Sequence, residues 1–250
     1  MTVTDVAEQP PVITSNGGGA TAALSVPENQ GAGREGVRPN RPSVAAPADL
    51  RRHRNRDDLG GEFVAIDVSE PSSVGQVIKG CEGLDVLVNC AGITIPGEPV
   101  DEVSPEHWNA QIAVNLTGTW LCLRAAVGSM RRRGWGRIVN LASGLATRGM
   151  PGSAAYAASK AGVTGLTRAA AADLAPLGIT VNGVSPGYVD TPMTRDFPQA
   201  LRAARLAEIG MGRFADPDEI AAVVEFLSSE DAGYVTGEIV DVTGGFRVCQ

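Results

Sequence analysis

The sequence predicts an α/β fold in which helices cover both faces of a doubly wound parallel sheet, with the first βαβ unit degraded or missing. From Gly60 onward, short runs rich in valine and isoleucine alternate with long helical segments. This alternation implies right-handed βαβ units. Residues 1–57 show neither pattern, so the sheet has no readable beginning in the sequence.

Five apolar runs are the predicted strands. Each run is short and almost continuously apolar, as expected of parallel strands that are buried on both faces. The runs are EFVAIDV (62–68), LDVLVN (84–89), GRIVNLAS (136–143), ITVNGVS (179–185) and EIVDVT (238–243). Because ligands of such sheets bind at the carboxyl ends of the strands, the residues that follow these runs are the candidates for a site.

Three long helices are predicted between and after the strands. Ser104 and Pro105 suit the N-cap and first turn of an apolar helix that ends in arginines. The segment AAYAASKAGVTGLTRAAAADLA (154–175) is the second helix, and its small residues permit close contact with a neighbouring helix. The run DPDE, which starts at Asp216, has the pattern of a capping box and opens the third helix.

Residues 1–57 differ in composition from the rest of the chain. They contain no aromatic residue, and the three prolines of RPNRPSVAAPAD (38–49) are incompatible with a buried strand. This composition is typical of a linker or a disordered segment. A shifted reading frame or a replaced segment over residues 15–57 is the other interpretation. Residues 58–250 are predicted to form one domain with a catalytic site and a C-terminal lid.

The overall composition excludes several classes of function. The net charge is −7, which disfavours nucleic acid or an anionic membrane as a partner. No apolar run approaches the roughly 18 residues of a membrane span, and the N-terminus lacks the pattern of a signal peptide, so we expect a cytoplasmic protein. The four cysteines lack metal-ligand spacing and there are only two histidines, so we expect no metal site.

Tyr156 and Lys160 are the clearest candidates for catalysis. They are four residues apart on the predicted second helix, so they share one face, and a nearby ammonium would lower the pKa of Tyr156. Ser143 ends a predicted strand and would present a hydroxyl near that face. A Tyr-x-x-x-Lys pair alone is more often a surface pair. Here the helix is otherwise almost free of charge, and Lys160 is one of only two lysines.

The chain from about Gly60 to Gly245 resembles the short-chain dehydrogenase/reductase family of the single-domain type, especially 3-oxoacyl-acyl-carrier-protein reductases. NCAG (89–92) resembles the family's Asn-Asn-Ala-Gly, with Cys90 as a departure, and SPGYVDTPM (185–193) resembles the segment after its sixth strand. The resemblance implies a Rossmann-like sheet.

The resemblance also implies a role for each matching residue. The implied catalytic residues are Asn115, Ser143, Tyr156 and Lys160. The implied cofactor-binding residues are Gly17, Asp67, Val68, Asn89, Ala91, Gly92, Tyr156, Lys160, Pro186, Gly187, Val189 and Thr191. Asp67 and Val68 would meet the adenine, and the segment from Pro186 would hold the nicotinamide and diphosphate side.

The implied function is an NAD(P)-dependent oxidoreductase that transfers hydride between a nicotinamide cofactor and a ketone or secondary alcohol. Ser143 would bind the substrate oxygen and Tyr156 would exchange the proton. Lys160 would lower the pKa of Tyr156 and hold the nicotinamide ribose, while Asn115 would hold a relay water. The substrate would be a small or carrier-bound carbonyl compound, and the family implies a homotetramer or homodimer.

The glycines of SNGGGATAALS (15–25) lie where the family has Thr-Gly-x-x-x-Gly-x-Gly. Gly17 can be the first glycine, but Thr21 and Ala23 replace the second and third. Those glycines let the backbone approach a diphosphate and let helix and strand pack closely. Three interpretations remain, namely a damaged loop, a linker and a divergent loop that still binds the cofactor.

Two consequences follow for function. The residue that selects NAD or NADP after the second strand is unreadable, so either cofactor is expected. The alternative to an active enzyme is a catalytically impaired homologue that serves as a subunit partner or is defective, because its diphosphate-binding loop is degraded.

Overall fold

The computed structural model describes residues 12–15, 21–25, 64–81, 83–95 and 97–246. The strands are β1 (Val12–Ser15), β2 (Thr21–Ser25), β3 (Ile66–Asp67), β4 (Val86–Asn89), β5 (Gly136–Leu141), β6 (Ile179–Pro186) and β7 (Ile239–Val242). The helices are α1 (Pro71–Gly80), α2 (Pro105–Ile112), α3 (Gly118–Arg133), α4 (Leu145–Arg148), α5 (Ala154–Leu174), α6 (Pro192–Arg195), α7 (Gln199–Glu208) and α8 (Pro217–Ser228).

A parallel sheet with the order β4-β5-β6-β7 carries the site. Its four strands fall within the four apolar runs predicted from 84 onward. β4, β5 and most of β6 are buried, as expected of strands covered on both faces. The predicted α/β class with a doubly wound parallel sheet is therefore confirmed.

Helices cover both faces of this sheet. One core joins the sheet to α1, α3 and α5, and its fully buried members include Leu87, Met130 and Ile138. A second core packs α8 on the other face, with Leu227 against Val139 and Val184. β4, β5 and β6 thus contribute side chains to both apolar layers, which fixes their register.

The first three strands form a different sheet, with the order β1-β2-β3 and antiparallel pairing throughout. The run 62–68 was predicted as a parallel strand, but its described part, β3, pairs with β2 in the antiparallel sense. β1 and β2 are antiparallel to each other because only residues 16–20 connect them, whereas a parallel crossover needs a dozen or more residues. β3 pairs with β2 of this hairpin and not with a strand of the parallel sheet.

β1 lies beside β4, so the antiparallel sheet adjoins the parallel one. This hairpin takes the place of a first βαβ unit, in agreement with the prediction that the unit is degraded or missing. Gly17 and most of residues 1–57 lie outside the described residues. Whether that segment is a linker or frame-altered stays a prediction.

The predicted first long helix is one continuous helical stretch from Pro105 to Arg133. Ser104 caps it, its hydroxyl accepting from the His107 amide at 3.1 Å. Between α2 and α3 the helix widens into a π-helical segment, Ala113–Thr117. π-helical turns often occur at functional sites because they redirect side chains. The capping box predicted at the start of α8 is present between Asp216 and Glu219.

Small residues let α5 approach this stretch closely, as its composition predicts. A Cβ on Gly162 of α5 would stand 2.6 Å from the Leu116 side chain of the π-helical segment. Likewise, a Cβ on Gly118 would stand 2.7 Å from Val68, so α3 sits directly against the end of β3. Glycine is required at both contacts.

Candidate active site

The carboxyl edge of the parallel sheet brings Ser143, Tyr156 and Lys160 together. Ser143 follows β5 by two residues and is buried, while Tyr156 and Lys160 lie one turn apart near the start of α5. The Ser143 hydroxyl lies near enough to Tyr156 to oppose, through hydrogen bonding, the rise of its pKa. The Lys160 ammonium donates to the Leu141 carbonyl at the end of β5, at 2.7 Å. The three side chains therefore meet near the carboxyl end of β5.

Burial decides the protonation of this cluster. Burial raises the pKa of Tyr156 above its ordinary value, the hydrogen bond with Ser143 opposes this rise, and the charge of Cys90 adds to it. The spacing of the two residues predicted that Lys160 would lower the pKa of Tyr156. That prediction is wrong for the overall shift of the pKa, because burial raises it by more than the hydrogen bond with Ser143 lowers it.

Lys160 is perturbed in the same environment. Burial lowers the pKa of its ammonium from 10.5 to about 8, and the charge of Cys90 opposes this fall. The lysine therefore loses its proton near pH 8, while the phenol of Tyr156 stays protonated at neutral pH. A protonated phenol beside a titrating ammonium is an arrangement that can donate a proton.

Asn115 is fully buried in the π-helical segment and reaches two other elements. Its Oδ1 accepts from the Ile93 amide at 2.8 Å, and its Nδ2 donates to the Ile93 carbonyl at 3.0 Å. Nδ2 also donates to the Ser159 hydroxyl on α5, at 3.0 Å. The side chain thus joins the loop after β4 to α5. Its predicted role in holding a water is untested.

The residues of NCAG occupy the end of β4 and the start of the next loop. A Cβ on Gly92 would stand 3.5 Å from both Asn115 Oδ1 and Lys160 Nζ, so this backbone runs directly past the catalytic cluster. Ala91 packs against the larger core. The Asn89 amide is buried and donates to Asn140 Oδ1 at 2.8 Å, so its side chain links β4 to β5.

The segment after β6 lies close to the turn after β5. The Pro186 carbonyl accepts from the amide of Gly144, at 2.9 Å, and so positions the turn that follows Ser143. A Cβ on Gly187 would stand 3.0 Å from the Thr243 backbone, so only glycine fits there. Val189 forms an isolated bridge with Ala215.

Thr191 completes this segment by starting α6 with a capping box. The four residues from Pro186 to Thr191 that were predicted to contact the cofactor thus form one continuous wall. Whether they contact a cofactor stays a prediction.

The residues predicted for the adenine end lie farther along the sheet, at β3. The Asp67 carboxylate accepts from the amide and hydroxyl of Ser69, at 2.9 and 2.6 Å. Val68 is buried against Gly118. Gly17, the residue predicted for the diphosphate, lies outside the described residues.

The donors of this cluster are compatible with a nicotinamide nucleotide and a carbonyl substrate. Lys160 has three ammonium protons, of which one is used by Leu141, so two remain for other acceptors such as ribose hydroxyls. The backbone at Gly92 passes close to the ammonium, since a Cβ there would stand 3.5 Å from Lys160 Nζ. Ser143 and Tyr156 supply two hydroxyls, which are groups that can donate to a carbonyl oxygen.

A cavity of about 660 Å³ lies between the loop after β4 and the segment before α5, and Ser143, Tyr156 and Lys160 are not among its lining residues. Its walls are largely apolar, and they include Val100, Met150 and Ala157. Ala157 directly follows Tyr156. A volume of this size is typical of small-molecule sites.

The predicted lid, residues 191–214, contains α6 and α7. Asp190, immediately before the lid, holds both helices, since its carboxylate accepts from Arg202 of α7 at 3.2 Å and from Arg195 of α6 at 3.4 Å. Tyr188 stacks on Phe214, with ring centroids 5.4 Å apart, and contacts Phe197 at its edge. Aromatic and ionic contacts therefore tie the lid to the exit of β6.

Sequence reasoning missed three residues at this site. Cys90 was noted only as a departure from a motif, yet its charge acts on both Tyr156 and Lys160. Asp190 stands inside a quoted segment, but its pairing with lid arginines depends on how the lid folds. Ser159 precedes Lys160 directly, and its position three residues after Tyr156 is the signal that could have placed it on the catalytic face.

The parallel sheet, the crevice at its carboxyl edge and the Ser-Tyr-Lys cluster define a Rossmann-type oxidoreductase site. A family model described as enoyl-(acyl carrier protein) reductase matches residues 44–247. The chain belongs to the short-chain dehydrogenase/reductase family, and is an NAD(P)-dependent enzyme by class.

Named relatives agree with this assignment. The chain is 40% identical to a 3-oxoacyl-[acyl-carrier-protein] reductase of Vibrio cholerae, over 76% of this chain and 80% of the relative. It is 38% identical to an acetoacetyl-CoA reductase of Allochromatium vinosum, over 82% and 85%. A solved structure described as a short-chain alcohol dehydrogenase from Sinorhizobium meliloti superposes with a TM-score of 0.69 at 35% identity, covering 73% of this chain and 75% of that one.

Within the residues that the structure describes, no helix has both the length and the apolar character needed to cross a membrane.

Proposed function

We propose that this protein exchanges hydride between NAD(P) and a ketone or secondary alcohol, with Tyr156 as the general acid and base. The observation that carries the proposal is the meeting of Ser143, Tyr156 and the buried Lys160 at the carboxyl end of β5, where Lys160 donates to the Leu141 carbonyl at 2.7 Å. Three such groups rarely meet by chance at the carboxyl edge of a parallel sheet, where ligands of this fold bind.

The protein's own residues perform the proton chemistry. Ser143 donates to the carbonyl oxygen and stabilises the negative charge that develops on it. Tyr156 then delivers its phenolic proton to that oxygen in reduction, or removes the hydroxyl proton in oxidation. The raised pKa of Tyr156 keeps the phenol protonated at neutral pH, which favours the direction of reduction. The nicotinamide cofactor, when bound, supplies or accepts the hydride.

Lys160 and Asn115 support this transfer. Lys160 would hold the ribose hydroxyls and remain charged below its pKa of about 8. Asn115 would organise a water that returns the proton to Tyr156. Gly92, Ala91, Pro186, Gly187, Val189 and Thr191 would contact the nicotinamide side of the cofactor, with Asn89 supporting them and Asp67 and Val68 at the adenine. Either NAD or NADP is proposed.

The substrate we propose is a carbonyl compound on a small molecule or a carrier. Relatives named as acyl-carrier-protein and acetoacetyl-CoA reductases support a thioester. The apolar cavity beside Ala157 would take the group attached to the carbonyl. We further propose that residues 58–250 form the catalytic domain with its lid and that residues 1–57 replace the first βαβ unit. We also propose that the protein works in the cytoplasm as a homotetramer or homodimer.

The test combines cofactor binding and turnover. NADH and NADPH are titrated while nicotinamide fluorescence is followed, and a panel of ketones, 3-oxoacyl thioesters and alcohols is then assayed at saturating cofactor. We expect binding of at least one cofactor and carbonyl-dependent NAD(P)H oxidation. Binding with no turnover across the panel would contradict the proposal.

The antiparallel hairpin favours a second candidate function, a catalytically impaired homologue that acts as a subunit partner. β1 and β2 leave no crossover between them, so the unit that usually cradles the diphosphate is rebuilt. The same titration separates the two candidates. Absence of binding at millimolar NADH and NADPH would favour the impaired homologue.

A further inference from the structure

Ser159 lies at the centre of the catalytic cluster without contacting a substrate position. Its side chain is fully buried on α5. The hydroxyl accepts from Asn115 Nδ2 at 3.0 Å and donates to the Tyr156 carbonyl at 2.7 Å. Since Tyr156, Ser159 and Lys160 are spaced i, i+3 and i+4, they occupy one face of the helix.

We propose that Ser159 is a positioning residue for the reaction, which locks the Asn115 amide and thereby holds the loop after β4 against the catalytic turn of α5. The proposal rests on the proposed function, whose cluster it supports.

The direction of the hydrogen bonds gives Ser159 a defined task. A serine hydroxyl has one proton, and here it goes to the Tyr156 carbonyl, so the oxygen is left to accept from Asn115. Asn115 must then point Nδ2 toward α5 and Oδ1 toward the Ile93 amide. Without Ser159, this cross-helix partner of the amide is lost.

The linked loop is part of the site. Ile93 directly follows Gly92, where a Cβ would stand 3.5 Å from both Asn115 Oδ1 and Lys160 Nζ. Farther along the loop, Gly97 lines the cavity and lies close to Gly152, which lines it as well. A shift of Asn115 would therefore move both the backbone at the lysine and the cavity wall.

A double-mutant cycle in turnover tests the link. At saturating cofactor, Ser159→Ala should lower kcat about tenfold, because small misplacements of reacting groups are costly. In an Asn115→Ala background the same change should lower kcat by less than roughly twofold, since residues that act through one another are not additive. Effects that multiply in the double variant would overturn the proposal.

Thr164→Val is the matched control. Thr164 is a buried hydroxyl on the same helix that donates back to the Lys160 carbonyl at 3.3 Å, as Ser159 does to Tyr156. The structure shows no hydrogen bond from Thr164 to another described element. We expect kcat of this variant to stay within about twofold of the parent. An equal loss in Thr164→Val and Ser159→Ala would mean that Ser159 only supports the helix.

Amide exchange supplies a readout that does not need turnover. Because the Ile93 amide donates to Asn115 Oδ1, its exchange should accelerate about tenfold in Ser159→Ala and remain unchanged in Thr164→Val. If Ser159→Ala does not fold, Ser159→Cys, a weaker donor and acceptor, should give an intermediate acceleration. Unchanged exchange at Ile93 would overturn the proposal. A parent protein that reduces no carbonyl compound would contradict the proposed function alone, and the exchange result would still decide the role of Ser159.

Discussion

The two sheets that meet at β1 and β4 are built by different rules. From β4 to β7 the strands are parallel, their crossovers are helices, and both faces are buried in apolar cores. From β1 to β3 the pairing is antiparallel, and five residues join the first two strands. Asp67 and Val68, which we propose to contact the adenine, lie at the end of the first sheet, and the residues that we propose for the nicotinamide lie at the second.

This difference teaches which parts of the site depend on which sheet. Ser143, Tyr156, Lys160 and Asn115 all come from the parallel part or from helices packed on it. Their hydrogen bonds to one another and to β5 need nothing from β1 or β2. Chemistry and diphosphate binding should therefore be separable by mutation.

The largest separation is expected for Ser143→Ala. Loss of the donor to the developing oxyanion should lower kcat about a hundredfold, while cofactor affinity stays unchanged because Ser143 faces the substrate oxygen. Steady-state kinetics and a fluorescence titration on the same preparation measure both quantities. Ser229→Ala, which removes a hydroxyl bonded only to its own helix end, is the control. Equal weakening of cofactor binding would break the separation.

The converse change replaces residues 1–63 with a βαβ unit that carries the family's Thr-Gly-x-x-x-Gly-x-Gly loop. Such a loop at a helix N-terminus should tighten the Kd for NAD(P)H about tenfold or more, whereas kcat at saturating cofactor should change little. A titration of parent and chimera gives the comparison. If the chimera gains in kcat and not in Kd, the hairpin acts on chemistry and the two regions are not independent.

The pH dependence of kcat reports on the parallel sheet alone, because the titrating group, Lys160, lies on a helix packed against it. The pKa of Lys160 is about 8, so its charge is present below that pH and is lost as pH rises through it. We expect kcat for carbonyl reduction to fall about tenfold per pH unit above that point once deprotonation dominates. Lys160→Arg, whose charge persists, should lack this limb. A profile that is flat from pH 7 to 9 would contradict a role for the charged lysine.

The smallest expected effect is on stability, at the contact between α3 and the end of β3. Gly118→Ala places a Cβ 2.7 Å from Val68 at the end of β3, and should cost about 1–3 kcal/mol of unfolding free energy. Gly75→Ala in α1 meets nothing within 4 Å and should stabilise by about 0.5–1 kcal/mol. Urea denaturation of both variants checks the pair. Equal stabilities would mean that β3 does not pack on α3 as described.

The strands of the parallel sheet could be predicted from the sequence more fully than the hairpin, for a physical reason. Strands buried on both faces must be almost continuously apolar, and this pattern is visible in the short runs GRIVNLAS and ITVNGVS themselves. Helical spacing and a strand end likewise singled out Tyr156, Lys160 and Ser143, whereas Asn115 was implied only by the resemblance to the family. The direction of β3 could not be read, because it depends on which strand β3 pairs with, and its partner β2 is separated from it by residues 26–65.

The energetics of the site were also beyond the sequence. Spacing placed Lys160 beside Tyr156 and suggested that the ammonium would lower the phenol's pKa. The outcome is set by how completely α5, β5 and the π-helical segment remove water from both groups. The link through Ser159 was missed for a similar reason, since it requires the rotation of the π-helical segment that turns Asn115 toward α5.

The most direct test of the account is the rate of carbonyl-dependent NAD(P)H oxidation in Tyr156→Phe and in the parent, both at saturating cofactor. The variant keeps the ring and removes only the proton that is transferred. The account predicts a folded protein with unchanged cofactor affinity and a rate lower by at least about a hundredfold. Ordinary turnover in Tyr156→Phe would show that this phenol is not the acid and base of the reaction.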